Sequence, residues 1–302
     1  MRIFVTGASG FVGSAVVREL LSAGHQVLGL ARSERSAQAI REAGAEVHPG
    51  DLEDIESLQA GARACDAIIH TGFIHDFTRF AEMCETDRRA VEAMGEALLG
   101  TEKPFVITSG VGLLRKSGEL VVETDMPSGP NPRIATEQAA DAVAAKGVRV
   151  SLVRLPPSTH GVGDHGFVPM LIDMAQEKGV SVYAGAGENR WPAVHRLDAA
   201  KLYRLAIETP AAPGTRYHAV ADQGVPFREI AEVIGRRLRI PVESKTPEEA
   251  AAHFAWFAHF AAMDVRASAA QTRAALGWEP TQPGLIDDID QDAYFERPAS
   301  QG

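Results

Sequence analysis

Cysteine is almost missing from this chain. Cys65 and Cys84 are the only two among 302 residues, and their spacing fits no metal-binding pattern. A disulfide framework is therefore not expected, and a reducing, cytoplasmic setting is the simpler expectation. Long apolar runs are missing too. No stretch approaches the ~18 residues of a membrane span. Positive charge is in deficit: 30 Lys and Arg face 40 Asp and Glu, a formal net charge of −10. That balance speaks against nucleic acid and anionic membranes as partners, because both require clustered cations. No internal repeat and no low-complexity tract is present. A strand-like run starts at the second residue, which leaves no room for a targeting peptide. The residues 296–302 read as a loose tail.

What is present is the composition of an ordinary globular protein, with 45% hydrophobic and 23% charged residues. The length allows one large domain or two closely joined ones. Strand and helix alternate through the first half. "RIFVT" is a short β-forming run, and "FVGSAVVRELLSAG" carries Val12, Val16 and Leu20 on one helical face before Gly24 ends it. "QVLGLA", "AEVHPGDL", "DAIIHTG", "PFVITSG" and "VRVSLVRL" read as further strands. The intervening helices include "SERSAQAIREAG", with Ser33 as its N-cap, a long one over 78–99 and one over 133–145. Continuous apolar strands separated by helices predict an α/β fold, a doubly wound parallel sheet covered on both faces. After Leu155 the rhythm breaks, and shorter strands and helices predict a smaller mixed C-terminal lobe facing the substrate.

"VTGASGFVG" sets Gly7, Gly10 and Gly13 between the first strand and the first helix. Gly7 permits the tight turn, Gly10 lets backbone N–H groups approach a pyrophosphate, and Gly13 lets helix and strand pack closely. The helix N-terminus then faces the anion. At the end of the second strand stands "ARSER", with no acidic residue to hold a ribose 2′-hydroxyl. Arg32, Ser33 and Arg35 are instead suited to a 2′-phosphate, so NADP(H) is the expected cofactor. Asp51 and Leu52 follow the third strand where an adenine would rest; Asp51 reads either as an acceptor for the exocyclic amine or as a loop-stabilising residue.

"TGASGFVG", "GDL", "DAIIHTG", "FVITSG", "RIATEQ", "LVRLPP" and "WPAVHRLDAAKL" occur in this order. Together they resemble the extended short-chain dehydrogenase/reductase group, the nucleotide-sugar epimerase and dehydratase relatives. The resemblance implies a Rossmann NADP-binding domain over 1–155, helped by later segments, and a substrate-facing lobe over 156–295. It implies further cofactor contacts at Ser9, Phe11, Val12, Thr71, Gly72, Thr108, Pro156 and Ser158. It also implies a homodimer paired through the long helix over 78–99 and the helix after Arg133. That group works with a Tyr-x-x-x-Lys pair and a Ser or Thr. Here Gly129 falls at the tyrosine and Arg133 at the lysine, and the hydroxyl position falls on Ser109 or Gly110. The four tyrosines are Tyr183, Tyr203, Tyr217 and Tyr294, so no shift of register restores the motif. The pattern resembles the atypical short-chain dehydrogenases, in which a basic pair replaces tyrosine and lysine.

Reducing a carbonyl builds negative charge on oxygen and requires a proton. Arg133 can hold the charge, and the nicotinamide ribose, but with a pKa above ~12 it does not supply the proton. A histidine is the natural donor near neutral pH. His70, His75, His160 and His165 all follow strands at the carboxyl edge of the sheet, where ligands bind. His70 reads as a core group. His75, beside Asp76, and His160 each read either as catalytic or as structural, as does Ser109 as a donor to the substrate oxygen. Gly110, Gly129, His165, Trp191 and His195 complete the candidate substrate surface, with Trp191 as an apolar wall or as lobe packing. Asp198 reads as the cap of the following helix. His160, Asp164 and His165 lack the helical spacing of zinc motifs, so no metal is expected. "HFAWFAHFAAMD" reads as core or subunit contact ahead of a cover over an apolar ligand. The function this predicts is an NADPH-dependent oxidoreductase acting on a small carbonyl or imine. The alternative is an NADP(H)-binding sensor or partner-binding protein without turnover, and a nucleotide-sugar epimerase or dehydratase ranks third.

Overall fold

The strand–helix alternation is realised as expected in a computed structural model that describes residues 1–114 and 118–296. Residues 297–302 of the expected tail lie outside the described residues. The first units are β1 (Arg2–Thr6), α1 (Phe11–Ser22), β2 (Gln26–Ala31), α2 (Glu34–Glu42), β3 (Glu46–Pro49), α3 (Ile55–Ala64), β4 (Ala67–His70), α4 (Phe80–Ala97) and β5 (Phe105–Gly110). They are followed by β6 (Leu120–Val121), α5 (Ile134–Ala145), β7 (Val150–Leu155) and β8 (Ser158–His160). Next come α6 (Phe167–Lys178), β9 (Ser181–Ala184), β10 (Arg190–His195), α7 (Arg196–Glu208), β11 (Thr215–His218) and β12 (Asp222–Pro226). The chain ends through α8 (Phe227–Leu238), β13 (Val242–Lys245), α9 (Pro247–Phe254), α10 (Ala258–Ala261), β14 (Arg266–Ala267), α11 (Ala270–Leu276) and α12 (Leu285–Ile289).

Seven strands form one sheet in the order β11-β7-β5-β4-β1-β2-β3, and every pair in it is parallel. Ile3, Phe4, Val5, Ile68, Ile69, Val106 and Ile107 are fully buried, as β-branched and aromatic residues between two helical layers must be. One core packs the sheet against α1 and α7, the other against α3, α4 and α5. Strand order reverses between β1 and β4, which places a crevice at their carboxyl ends, the position where such sheets bind ligands.

The smaller lobe holds the sheet β12-β10-β8, mixed in direction, and a two-stranded β13-β9 sheet over a third core around Trp191, Phe227 and Phe257. The segment "TRYH", expected in this lobe, is β11 and forms the seventh strand of the large sheet. It returns there because α7 packs on α1 and carries the chain back across the first layer. Asp198 does not cap α7. His195 is the N-cap, and Asp198 accepts from the backbone N–H groups of Thr281 and Gln282, pinning the C-terminal segment. Among the described residues no helix is long and apolar enough to cross a membrane. Cys65 and Cys84 are buried and unpaired, and burial pushes both thiols up to about 11, so neither is a reactive thiolate.

Candidate active site at the carboxyl edge

Gly7 adopts φ +67°, and a Cβ there would lie 2.7 Å from the Gly72 nitrogen. A Cβ at Gly13 would lie 2.0 Å from the Gly7 carbonyl oxygen. The turn, the end of β4 and the start of α1 therefore meet at a distance that only glycine permits. Gly10 caps α1, and no side-chain cap accepts from the N–H groups of the first turn. The N–H groups at Phe11, Val12 and Gly13 are thus left for an anion, beside the exposed Ser9. Ser158, which starts β8, is buried with a hydroxyl that has no partner among the described residues. Pro156 is buried beside it. An open helix N-terminus, a glycine cradle and an unpaired buried hydroxyl are a donor set that fits a dinucleotide.

At the end of β2, Arg32 and Arg35 are exposed and neither forms an ion pair with a described residue. Ser33 caps α2 as expected, its hydroxyl in a reciprocal pair with Ser36. Asp51 Oδ1 accepts from the N–H groups of Glu53 and Asp54, so that oxygen serves its own loop. Leu52 is buried against Gly72.

Arg133 stands at the N-cap of α5, with its guanidinium 4.2 Å over the Phe73 ring. Nη1 donates to Asp87 Oδ2 at 2.5 Å and to the Thr136 hydroxyl, and Nη2 donates to the Thr108 carbonyl at 3.4 Å. Asp87 lies on the inner face of α4, 1% exposed. Burial alone would raise its carboxyl. The Arg133 charge, with hydrogen bonds from His70 and Thr136, overturns that and holds it well below the usual carboxylate range. A carboxylate only accepts, so His70 Nε2 donates to Asp87 at 3.0 Å and its Nδ1 accepts from the Thr6 hydroxyl at 2.6 Å. The Thr6 oxygen in turn accepts from Gly72 N–H at 3.1 Å. One hydrogen-bonded chain thus runs from the cation in the cleft to the glycine turn. It makes His70 the core group expected of it.

His75 is exposed beside this cation, edge-on to Phe73 at 5.2 Å. Packing against its neighbours lowers its pKa, and the nearby Arg133 and His165 charges lower it further. His165 is exposed and lies edge-on to Phe11 at 5.7 Å. Arg133, His75 and His165 therefore converge on the mouth of the crevice. Gly129 is exposed at φ +99°, and Gly110 ends β5 partly buried.

Four expected site residues go elsewhere. The Ser109 hydroxyl donates to Glu137 Oε1 at 2.6 Å, on the sheet face opposite Thr108, because successive strand residues alternate. His160 is fully buried and pairs through Nδ1 with Asp288 at 2.8 Å, while its Nε2 has no partner among the described residues. His195 is buried, and its Nδ1 accepts from Leu197 N–H. Trp191 is fully buried between Phe167 and Phe227, which makes it lobe packing and not a substrate wall. His160 and His165 do not converge, and no metal-holding group of three or more His, Cys, Asp or Glu occurs among the described residues.

Sequence reading missed Asp87, Tyr203 and Arg196. Asp87 falls on the apolar stripe of α4 with Met83, Ala90, Val91 and Met94, an acidic residue where the 3.6 period demands an apolar one. Tyr203 comes from α7, and its hydroxyl meets the Thr108 hydroxyl at 2.6 Å. It is fully buried, and burial pushes its phenol well above the ordinary tyrosine range. It does not replace the missing tyrosine at the cleft. Arg196 brings a second cation to the start of α1, 4.9 Å over the Phe11 ring.

Residues 3–219 match the NAD dependent epimerase/dehydratase family. An uncharacterized protein of Schizosaccharomyces pombe is 51% identical over 98% of this chain and 100% of its own. A 2-alkyl-3-oxoalkanoate reductase of Stenotrophomonas maltophilia is 28% identical over 76% of this chain and 73% of its own. Among solved structures, a dTDP-glucose 4,6-dehydratase from Streptomyces venezuelae with NAD bound superposes with a TM-score of 0.77 at 21% identity, covering 98% of this chain and 97% of that one. The last likeness bears on the fold alone.

Proposed function

The chain belongs to the NAD dependent epimerase/dehydratase family, and from that footing we propose that it is an NADPH-dependent reductase of a small carbonyl or imine compound. The observation that carries the reading is Arg133: a cation held by a buried carboxylate at the family's lysine position, with His75 beside it and no tyrosine between. The Stenotrophomonas relative, a 2-alkyl-3-oxoalkanoate reductase, carries a name of the same reaction class. The glycine turn and Arg32 would hold NADPH, which would supply the hydride for the substrate carbon and end as NADP+. Arg133 stabilises the negative charge that develops on the substrate oxygen. His75 delivers the proton to that oxygen, giving the alcohol.

The pH dependence has a definite sign. His75 has a lowered pKa and donates only when protonated. Reduction should therefore speed up as pH falls through and below the ordinary histidine range. His75→Gln should flatten the profile and slow the rate by about 10²-fold, the usual worth of a general acid. A profile identical to wild type would remove His75 from the mechanism. For the cofactor, Arg32→Ala should weaken NADPH binding by about tenfold to a hundredfold, the worth of a charge-assisted contact, and leave NADH unchanged. Fluorescence titration reads both, and equal loss for the two cofactors would overturn the choice of NADPH.

The second reading, dinucleotide binding without turnover, draws support from the commitment of the Ser109 hydroxyl to Glu137. NADPH oxidation in the presence of aldehydes, ketones and imines separates the two: binding with no oxidation by any of them favours the second. We also propose a homodimer through α4 and α5, to be read by sedimentation.

A further inference from the structure

We propose that the aromatic face beside His75 binds the apolar, planar arm of the substrate, so that the compound reduced carries an aryl group a short distance from its carbonyl. This rests on the reductase reading for the reacting group, but not for the binding of the arm. Phe77 follows β4 in a single 3-10 turn, and Trp256 follows α9 in another. Their rings lie 5.8 Å apart and stay 36% and 58% exposed. Phe80 stacks on Phe77 at 6.1 Å, and Phe260 meets it edge-on at 6.0 Å. The same set continues to Phe73, 6.2 Å from Phe80, and its ring lies under Arg133. The surface is thus polar at the Arg133–His75 end and aromatic at the Phe77–Trp256 end.

Burial in the core does not account for Trp256. Its neighbour Phe257 is fully buried against Phe167 and Trp191, while Trp256 faces outward. Between α9 and that turn, Ala255 holds φ +50° and ψ −120°, one of two positive-φ residues other than glycine among the described residues. An alanine keeps such a conformation only where its surroundings enforce it. The patch joins the Rossmann layer to the C-terminal segment at the site's own mouth, where an aryl ring would find offset and edge-on partners.

The test compares 3-phenylpropanal with propanal as substrates, and 3-phenylpropan-1-ol with propan-1-ol as ligands measured calorimetrically with NADPH present, where the reduced cofactor leaves the alcohols nothing to react with. The phenyl aldehyde should be preferred by about tenfold to a hundredfold in kcat/KM, the scale on which apolar contacts discriminate. Trp256→Ala and, separately, Phe77→Leu should shrink that ratio toward one, and both should weaken phenylpropanol binding. Trp256 is the exposed one of the three tryptophans, so its truncation spares the core. If neither aldehyde is reduced but phenylpropanol binding persists and depends on Trp256, the reductase reading falls and the aryl site stands. If phenyl and alkyl ligands bind alike, the proposal falls. It falls also if Trp256→Ala leaves binding and preference intact and instead shifts sedimentation to a smaller species, which would make the patch a subunit contact.

Discussion

Arg133→Ala should abolish measurable reduction and cost about 3–5 kcal/mol of stability, the usual consequence of removing one partner from a buried ion pair. That is on the order of 5–10 °C in Tm for a chain of this size. The cause is Asp87, which is 1% exposed and keeps its charge because the guanidinium faces it. Without Arg133 the carboxylate must either stay ionised in an apolar layer or take a proton. The sign of the pH effect follows. A carboxyl whose folded pKa is depressed contributes stability that is fully present above its unfolded value of ~3.9 and is lost as pH falls through the folded value. Wild type should therefore lose this contribution only below about pH 4, whereas the variant lacks it already at neutral pH and shows a shallower acid slope. Asp87→Asn should cost less than Arg133→Ala, since the guanidinium is 15% exposed and can still be hydrated. The double variant should be more stable than the sum of the singles predicts. Arg133→Lys should recover part of the stability but not the fork that also reaches Thr108 and Thr136. Urea unfolding at several pH values measures wild type and the four variants. Strict additivity would show that the pair does not form.

The sequence made the first layer legible because its signals are local. Gly7, Gly10 and Gly13 announce a turn whose close approach the structure bears out atom by atom. The alternation of apolar strands with amphipathic helices sets the sheet through β7. What was not legible depends on distant elements. Ser109 and Thr108 are adjacent in sequence and chemically alike, and only the pleat decides that one meets Glu137 and the other Tyr203. Glu137 in turn pairs with Arg154, itself fully buried, and with Arg216 from β11. No spacing rule connects those three positions. His160 shared with His75 a location after a strand at the carboxyl edge. The difference lies in Asp288, 128 residues further on, which pairs with His160 Nδ1 in the buried lobe.

Gly13→Ala should have an effect on cofactor binding as large as that of Arg133→Ala on turnover, and for a purely steric reason. Gly13 lies inside α1, where alanine is the better helix former, so propensity alone favours the change. Its added Cβ, however, would meet the Gly7 carbonyl oxygen at 2.0 Å and the Thr71 hydroxyl at 2.9 Å. Both neighbours are fixed, Gly7 by the turn in which Gly10 N–H donates to its oxygen at 2.9 Å, and Thr71 by its bond to the Thr6 carbonyl at 2.7 Å. Relief requires the start of α1 to move away from β1, and that opens the row of N–H groups which the dinucleotide phosphates need. NADPH affinity should fall by about 10²-fold or more, since misplacement on the order of 1 Å is enough to lose such oriented contacts. Gly24→Ala is the matched comparison. It carries φ +81° with nothing within 4 Å of its added Cβ, so it meets only the left-handed strain of about 1–2 kcal/mol and should bind NADPH as wild type does. If both variants lose binding equally, the defect is global instability. If Gly13→Ala alone loses it, the contact between helix and turn is what builds the phosphate site.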